Sequence, residues 1–207
     1  MAKKVDEKYD RRQDLEGKFN RFWNKALKTT DVDYLKRLTT DDLVELKKAV
    51  SNINNLVTLR VTYGFIEKIH ELGIINREQA EEMRSDVNGL HPNTNGYDVK
   101  YPRTKGYVVK YDTVKKIIAE IKCNIPVGGD RFGSAQRNAI KEDLKGLWNG
   151  KNKEDIVPES YYKFMVIQDV SGAREAMEQI VNSMDGNYAT LDDKTVVDTD
   201  HVYIVYW

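Results

Sequence analysis

The hydrophobic repeat of this chain first changes near its middle. Through residue 84, apolar residues recur every three or four positions, the period of helices with one buried face. After the loop SDVNGLHPNTNG (residues 85–96), whose Asn, Gly, Ser and Pro mark irregular backbone, the runs YDVKY, GYVVKY and VKKIIAEIKCNI are rich in Val, Ile and Tyr. A helical first part that runs into strands restricts the chain to an α/β architecture.

The helical part divides at its caps and breakers. Residues 14–27 place Leu15, Phe19, Phe22, Trp23, Ala26 and Leu27 at helical spacing. Thr39 or Thr40, followed by Asp41 and Asp42, caps a second helix through LVELKKAV, and a third over residues 56–72 stops at Gly73. Asn76 caps a short polar helix, REQAEEMR. Beyond the three strands, Ser134 opens a helix over residues 135–148, YYKFMVIQDV reads as a fourth strand, residues 172–184 as a helix, and HVYIVYW as a final strand. Short turns at Pro102 to Gly106 and near Asp112 favour an antiparallel meander, and the long connection through residues 135–148 allows parallel neighbours. The expected architecture is a central mixed β-sheet flanked by helices, with residues 1–50 as a helical extension and 51–207 as the core domain.

Composition excludes several functions. The formal net charge is +0, so any electrostatic site is a local patch. One cysteine, Cys123, precludes an internal disulfide, and with His70, His91 and His201 scattered there is no spaced zinc site. No stretch approaches the roughly 20 apolar residues of a membrane span, and the charged N-terminus lacks the apolar core of a signal peptide. The reading is a cytoplasmic protein without a membrane partner.

The chemistry centres on KKIIAEIKCN, residues 115–124. Side chains two apart on a strand share a face, so Glu120 and Lys122 lie together while Ala119, Ile121 and Cys123 take the other side. Charges in an apolar strand are costly unless paired or bound to a metal. The plain alternative is a one-sided strand whose solvated face carries both. Asp98, in NGYDV at the entry to the first strand, is placed to meet Glu120 from a neighbouring strand.

An acid on the first strand, Glu-x-Lys on the third, then helix and strand, resembles the PD-(D/E)XK nuclease superfamily, the restriction-endonuclease-like fold, with its αβββαβ core. The match rests on Asp98, Glu120 and Lys122, and Asp98 follows Tyr97 where the motif has proline. The resemblance implies a Mg²⁺-dependent endonuclease hydrolysing DNA phosphodiester bonds, of type II restriction-enzyme kind. Asp98, Glu120 and the Ile121 backbone carbonyl would ligate Mg²⁺, and Lys122 would orient or deprotonate the attacking water. Family members often add an acid from the preceding helix. Of Glu67 and Glu71, Glu67 is preferred, one turn from Tyr63. Double-strand cleavage implies a homodimer.

Basic residues outnumber acids over residues 100–151, whereas acids dominate after Gly172. Ser134, Gln136 and Arg137 open a helix whose free N–H groups suit a phosphate, and with Arg131 and Lys141 they are candidate contacts to double-stranded DNA. Ordinary capping is the alternative. Two rival functions remain: a non-catalytic nucleic-acid- or protein-binding module on the same fold, and a nucleotide site in the Gly-rich loop 128–134. The second lacks the P-loop lysine, since Ser134 directly follows Gly133.

Overall fold

The computed structural model describes residues 11–89, 96–102, 115–152, 154 and 156–207. The predicted strand GYVVKY falls outside them. Two compact units divide at Asn52, Met1–Asn52 and Ile53–Trp207.

The first unit contains helix α1, Arg11–Ala26, a 3-10 turn at Leu35–Arg37, and the start of α2, Thr40–Glu71. Asn20 and Asn24 stitch the chain after α1 to the helix: the Asn20 side-chain oxygen accepts the Tyr34 and Leu35 N–H groups at 2.9 and 3.2 Å, and that of Asn24 accepts the Val32 N–H at 3.1 Å. Trp23, Leu27, Tyr34, Leu38 and Leu46 border an apolar groove of about 590 Å³. Thr39 caps α2, accepting the Asp42 N–H while the Asp42 carboxylate takes the Thr39 N–H. α2 is one continuous helix where two were expected. The stretch SNINN between the predicted helices is polar and of low helix propensity, but without Gly or Pro it contains nothing that stops a helix.

In the second unit α2 ends in a Schellman motif, with Gly73 at φ +67°, its N–H donating to His70 and that of Ile74 to Ile69. Asn76 then caps α3, Arg77–Asn88, in a reciprocal box with Gln79. The sheet comprises β1 Val99–Tyr101, β2 Ile117–Lys122, β3 Tyr162–Ile167, β4 Tyr188–Thr190 and β5 Val202–Tyr206, in the order β1-β2-β3-β5-β4. β1 runs antiparallel to β2, and the remaining neighbours are parallel. Helices α4, Ser134–Asn149, and α5, Ala173–Val181, complete the unit. The short β4 has no counterpart in the expected elements, because three residues are too few to display an alternation.

Two apolar layers enclose the sheet. On one face Val61, Phe65, Ile66 and Ile69 of α2, with Ala80 and Met83 of α3, pack on Ile117, Ala119, Ile121, Phe164 and Val166. On the other, Ile140, Leu144 and Leu147 of α4, with Ala176, Met177 and Ile180 of α5, pack on Ile118, Met165, Ile167 and Ile204. The period of two in β2 assigns its odd residues to α2 and its even ones to α4. Among the described residues the chain is thus α/β with a mixed five-stranded sheet flanked by helices, and no helix there is long and apolar enough to cross a membrane.

Candidate active site

Glu120 and Lys122 project from β2 toward α4, beyond the buried Ile118 on the same face. Because Val99 pairs with Ala119, one further step along the antiparallel ladder brings Asp98 opposite Glu120. Asp98 is exposed, and its Oδ2 accepts the Ile121 N–H at 2.8 Å. A strand residue directs its N–H and C=O to the same neighbour, so the Ile121 carbonyl also lies on the Asp98 side. The structure therefore places Asp98, Glu120 and the Ile121 carbonyl along one seam between β1 and β2.

Glu120 is only 2% exposed. Its Oε1 lies 2.5 Å from the Lys151 Nζ and has no other hydrogen-bond partner among the described residues. Lys122 reaches the other way, 2.6 Å to Asp143 Oδ2, and Asp143 Oδ1 is 3.6 Å from Lys151. Lys151 also donates to the Gly96 carbonyl at 2.9 Å and lies 5.0 Å above the Tyr97 ring. Lys100 and Glu154 pair alongside at 2.5 Å.

Burial, reinforced by the neighbouring Asp98 charge, pushes the Glu120 carboxyl up to about 8, with Lys151 opposing the shift. For Lys122 burial works against the charge, but the hydrogen bond and charge of Asp143 outweigh it and the net shift is upward. The Tyr97 hydroxyl is raised by burial and by Glu120, and it stays a donor, 2.8 Å from the Gly146 carbonyl.

The donor set suits a hard cation. Two carboxylates and a carbonyl are all oxygen, one of the carboxylate oxygens is buried with the Lys151 ammonium as its single partner among the described residues, and Asp98 is open to water. Among the described residues no group of three or more His, Cys, Asp or Glu forms a ready-made metal cluster, so waters and substrate oxygens would complete any coordination shell.

Glu67 is a correction. α2 packs on the opposite face of the sheet, where Glu67 pairs with Arg84 and lies 3.7 Å from His70 Nδ1. The α2 residue that reaches the end of β2 is Thr58, hydrogen-bonded to Cys123, and Glu67 stands nine positions further on, roughly 13 Å along the axis. The opening of α4 is a second correction. Gly133, not Ser134, is the N-cap; Ser134 occupies the first turn and is exposed. Gln136 turns its side-chain oxygen back to the Gly133 N–H at 3.1 Å, which makes it a capping residue. Arg131 lies 3.7 Å from Asp130, both exposed. Arg137 and Lys141, one turn apart, have no ion-pair partner among the described residues. The Gly-rich loop closes as a tight turn, with Val127 bridged to Arg131 and Gly128 and Gly129 at φ +71° and +96°. The Gly129 carbonyl oxygen sits where a Cβ on Gly172 would lie, only 1.4 Å away, so this backbone packs closely on the start of α5.

Asp143, Lys151 and Tyr97 are the members of the site that the motif omits. Asp143 falls within the stripe of Ile140, Leu144 and Leu147 at helical spacing, so it is a charge set among apolar positions, the same anomaly that exposes Glu120, whereas Lys151 lies beyond the end of α4 and reaches the site through the turn at Gly150. Comparisons with protein-family models, with curated proteins and with solved structures found no match.

Proposed function

We propose that the chain is a divalent-cation-dependent endonuclease that hydrolyses phosphodiester bonds of double-stranded DNA, on a restriction-endonuclease-like core. The observation that carries this reading is the juxtaposition of Asp98 with the buried Glu120 carboxyl across the β1–β2 edge, with Lys122 two residues away on the same face. The antiparallel β1–β2 pair followed by α4 and the parallel β3 is in keeping with it. Asp98, Glu120 and the Ile121 carbonyl would hold Mg²⁺, which when bound supplies positive charge to the scissile phosphate and acidity to water. Lys122, released from Asp143, would orient the attacking water and offset charge developing on the phosphate oxygens. Arg137 and Lys141, exposed and partly exposed on α4, are the residues suited to the backbone phosphates. Cutting two strands with one site per chain makes a homodimer the active form.

A second reading is favoured by one specific observation: every lysine of the cluster already has a carboxylate, Lys100 with Glu154, Lys122 with Asp143 and Lys151 with Glu120. The cluster then serves as an ion-pair network that holds β1, β2 and α4 together in a non-catalytic binding module. Incubation of plasmid DNA with the protein and Mg²⁺ separates the two. The nuclease reading expects nicking or linearisation that Asp98→Ala, Glu120→Ala and Lys122→Ala each reduce by about a hundredfold or more. Cleavage that survives all three substitutions refutes the site, and retention of DNA without cleavage selects the binding module.

A further inference from the structure

Lys151 occupies a position that the chain goes to some length to build. The helix α4 ends at Gly150, whose φ of +87° turns the backbone so that the next residue folds back over the last turn. Its stem lies over Gly146, where an added Cβ would come within 3.1 Å of Lys151 Cγ and Cε. The far end is clipped from the segment that leads into β1: the Tyr97 hydroxyl donates to the Gly146 carbonyl, the Tyr97 ring underlies the ammonium, and the Gly96 carbonyl accepts from it. The ammonium so held meets Glu120 at 2.5 Å and stands 3.6 Å from Asp143.

We propose that Lys151 is a built-in counter-ion that occupies the cation's place on Glu120, so that a divalent ion binds only by displacing the Lys151 ammonium toward Asp143. The proposal rests on the nuclease reading of Asp98 and Glu120 as metal ligands. Three features support it. The Glu120 oxygen beside Lys151 is buried and has no hydrogen-bond partner besides that ammonium among the described residues, so an incoming ion of higher charge has one contact to displace. A second carboxylate waits within 3.6 Å, so the displaced ammonium keeps a partner. Asp143 is also the partner of Lys122, and sharing it between two lysines weakens its hold on Lys122, the residue needed at the phosphate. Cation binding and release of Lys122 are thereby coupled through one carboxylate.

The test is Mn²⁺ binding to the full-length protein by isothermal titration calorimetry, with no nucleic acid present. Lys151→Met and Lys151→Gln, the latter retaining a donor for Gly96, should bind Mn²⁺ roughly ten- to a hundredfold more tightly than wild type, the range that loss of one competing charged contact predicts. Lys151→Arg, which keeps the charge, should bind as wild type does, and Asp98→Asn should abolish binding throughout. If Lys151→Met does not fold without metal, the Gln variant carries the comparison, and refolding of the Met variant by Mn²⁺ also supports displacement. Equal or weaker binding by both neutral variants, with wild-type binding still lost in Asp98→Asn, overturns the counter-ion while leaving the nuclease reading intact. Absence of Mn²⁺ binding in every protein overturns the metal site and the counter-ion together.

Discussion

Glu120→Gln offers the sharpest physical test of the site, because its effect on stability reverses the usual expectation for a buried polar substitution. Glu120 is 2% exposed and its carboxyl is raised from the ordinary 4.5 to about 8, chiefly by burial and then by Asp98. Between those limits the folded protein retains a proton that the unfolded chain has released, so stability must fall as pH rises. At about 1.4 kcal/mol per pH unit the full penalty approaches about 5 kcal/mol, absent below pH 4.5 and complete above about pH 8. A glutamine cannot ionise and carries none of it. The net figure already includes the attraction of Lys151, which in the variant keeps Asp143 and the Gly96 carbonyl as partners. Urea unfolding of both proteins at pH 5, 7 and 9 should therefore give curves that nearly coincide at pH 5 and separate as pH rises. By pH 9 the variant should be more stable by several kcal/mol, even though it removes a residue the proposed reaction needs. Parallel pH dependences, or a wild type more stable than the variant at pH 9, would show that Lys151 fully offsets the desolvation of Glu120, and the reasoning would fail.

The same protonation predicts that Mn²⁺ binding by the wild type strengthens as pH rises toward about 8 and then levels, since proton and cation compete for one carboxylate; an affinity constant from pH 6.5 to 8.5 would contradict this. Gly64→Ala places a Cβ 2.0 Å from the Trp207 ring and should cost about 1–3 kcal/mol in chemical denaturation, as overpacking does. Trp207→Ala in the same chain should restore the loss, and a neutral single substitution would mean that the ring is not seated on α2. Gly172→Ala meets the Gly129 carbonyl at 1.4 Å from a backbone already at φ +77°, and neither partner is a side chain that can swing away. Thermal unfolding should register a loss of about 3 kcal/mol or more, or no folded protein at all.

Much of the fold is legible in local sequence, for identifiable reasons. α3 and the end of α2 are read from single residues, Asn76 and Gly73, whose backbone roles few other residues fill. β2, β3 and β5 are apolar runs of five or six residues, long enough to be distinguished from turns. What escapes is decided by weaker forces. The continuity of α2 through SNINN depends on the absence of a breaker, and low propensity over five residues is outweighed by the ordered turns on either side. β4 exists because its backbone pairs with β5, a contact that its own three residues do not announce.

The site divides along the same line. Glu120 and Lys122 stand out because a charge inside an apolar strand requires a partner, and that requirement is visible without knowing the partner. Which acid joins them is a question of sheet faces, and there one-dimensional reasoning fails. Glu67 is chosen for its place at the edge of a helix, yet α2 covers the odd residues of β2 while Glu120 and Lys122 face α4. The rule that works for the strand also works for the covering helix: Asp143 lies within the stripe of Ile140, Leu144 and Leu147, while Lys151 is folded back onto the site by the turn at Gly150. Two buried stripes, each interrupted by charges, must interrupt each other at the same level, because an unpaired charge on either side would cost several kcal/mol. The strand thus predicts the kind of residue the helix must supply opposite it, and a search of α4 for ionisable groups within its apolar stripe leads to Asp143, where a search for family motifs does not.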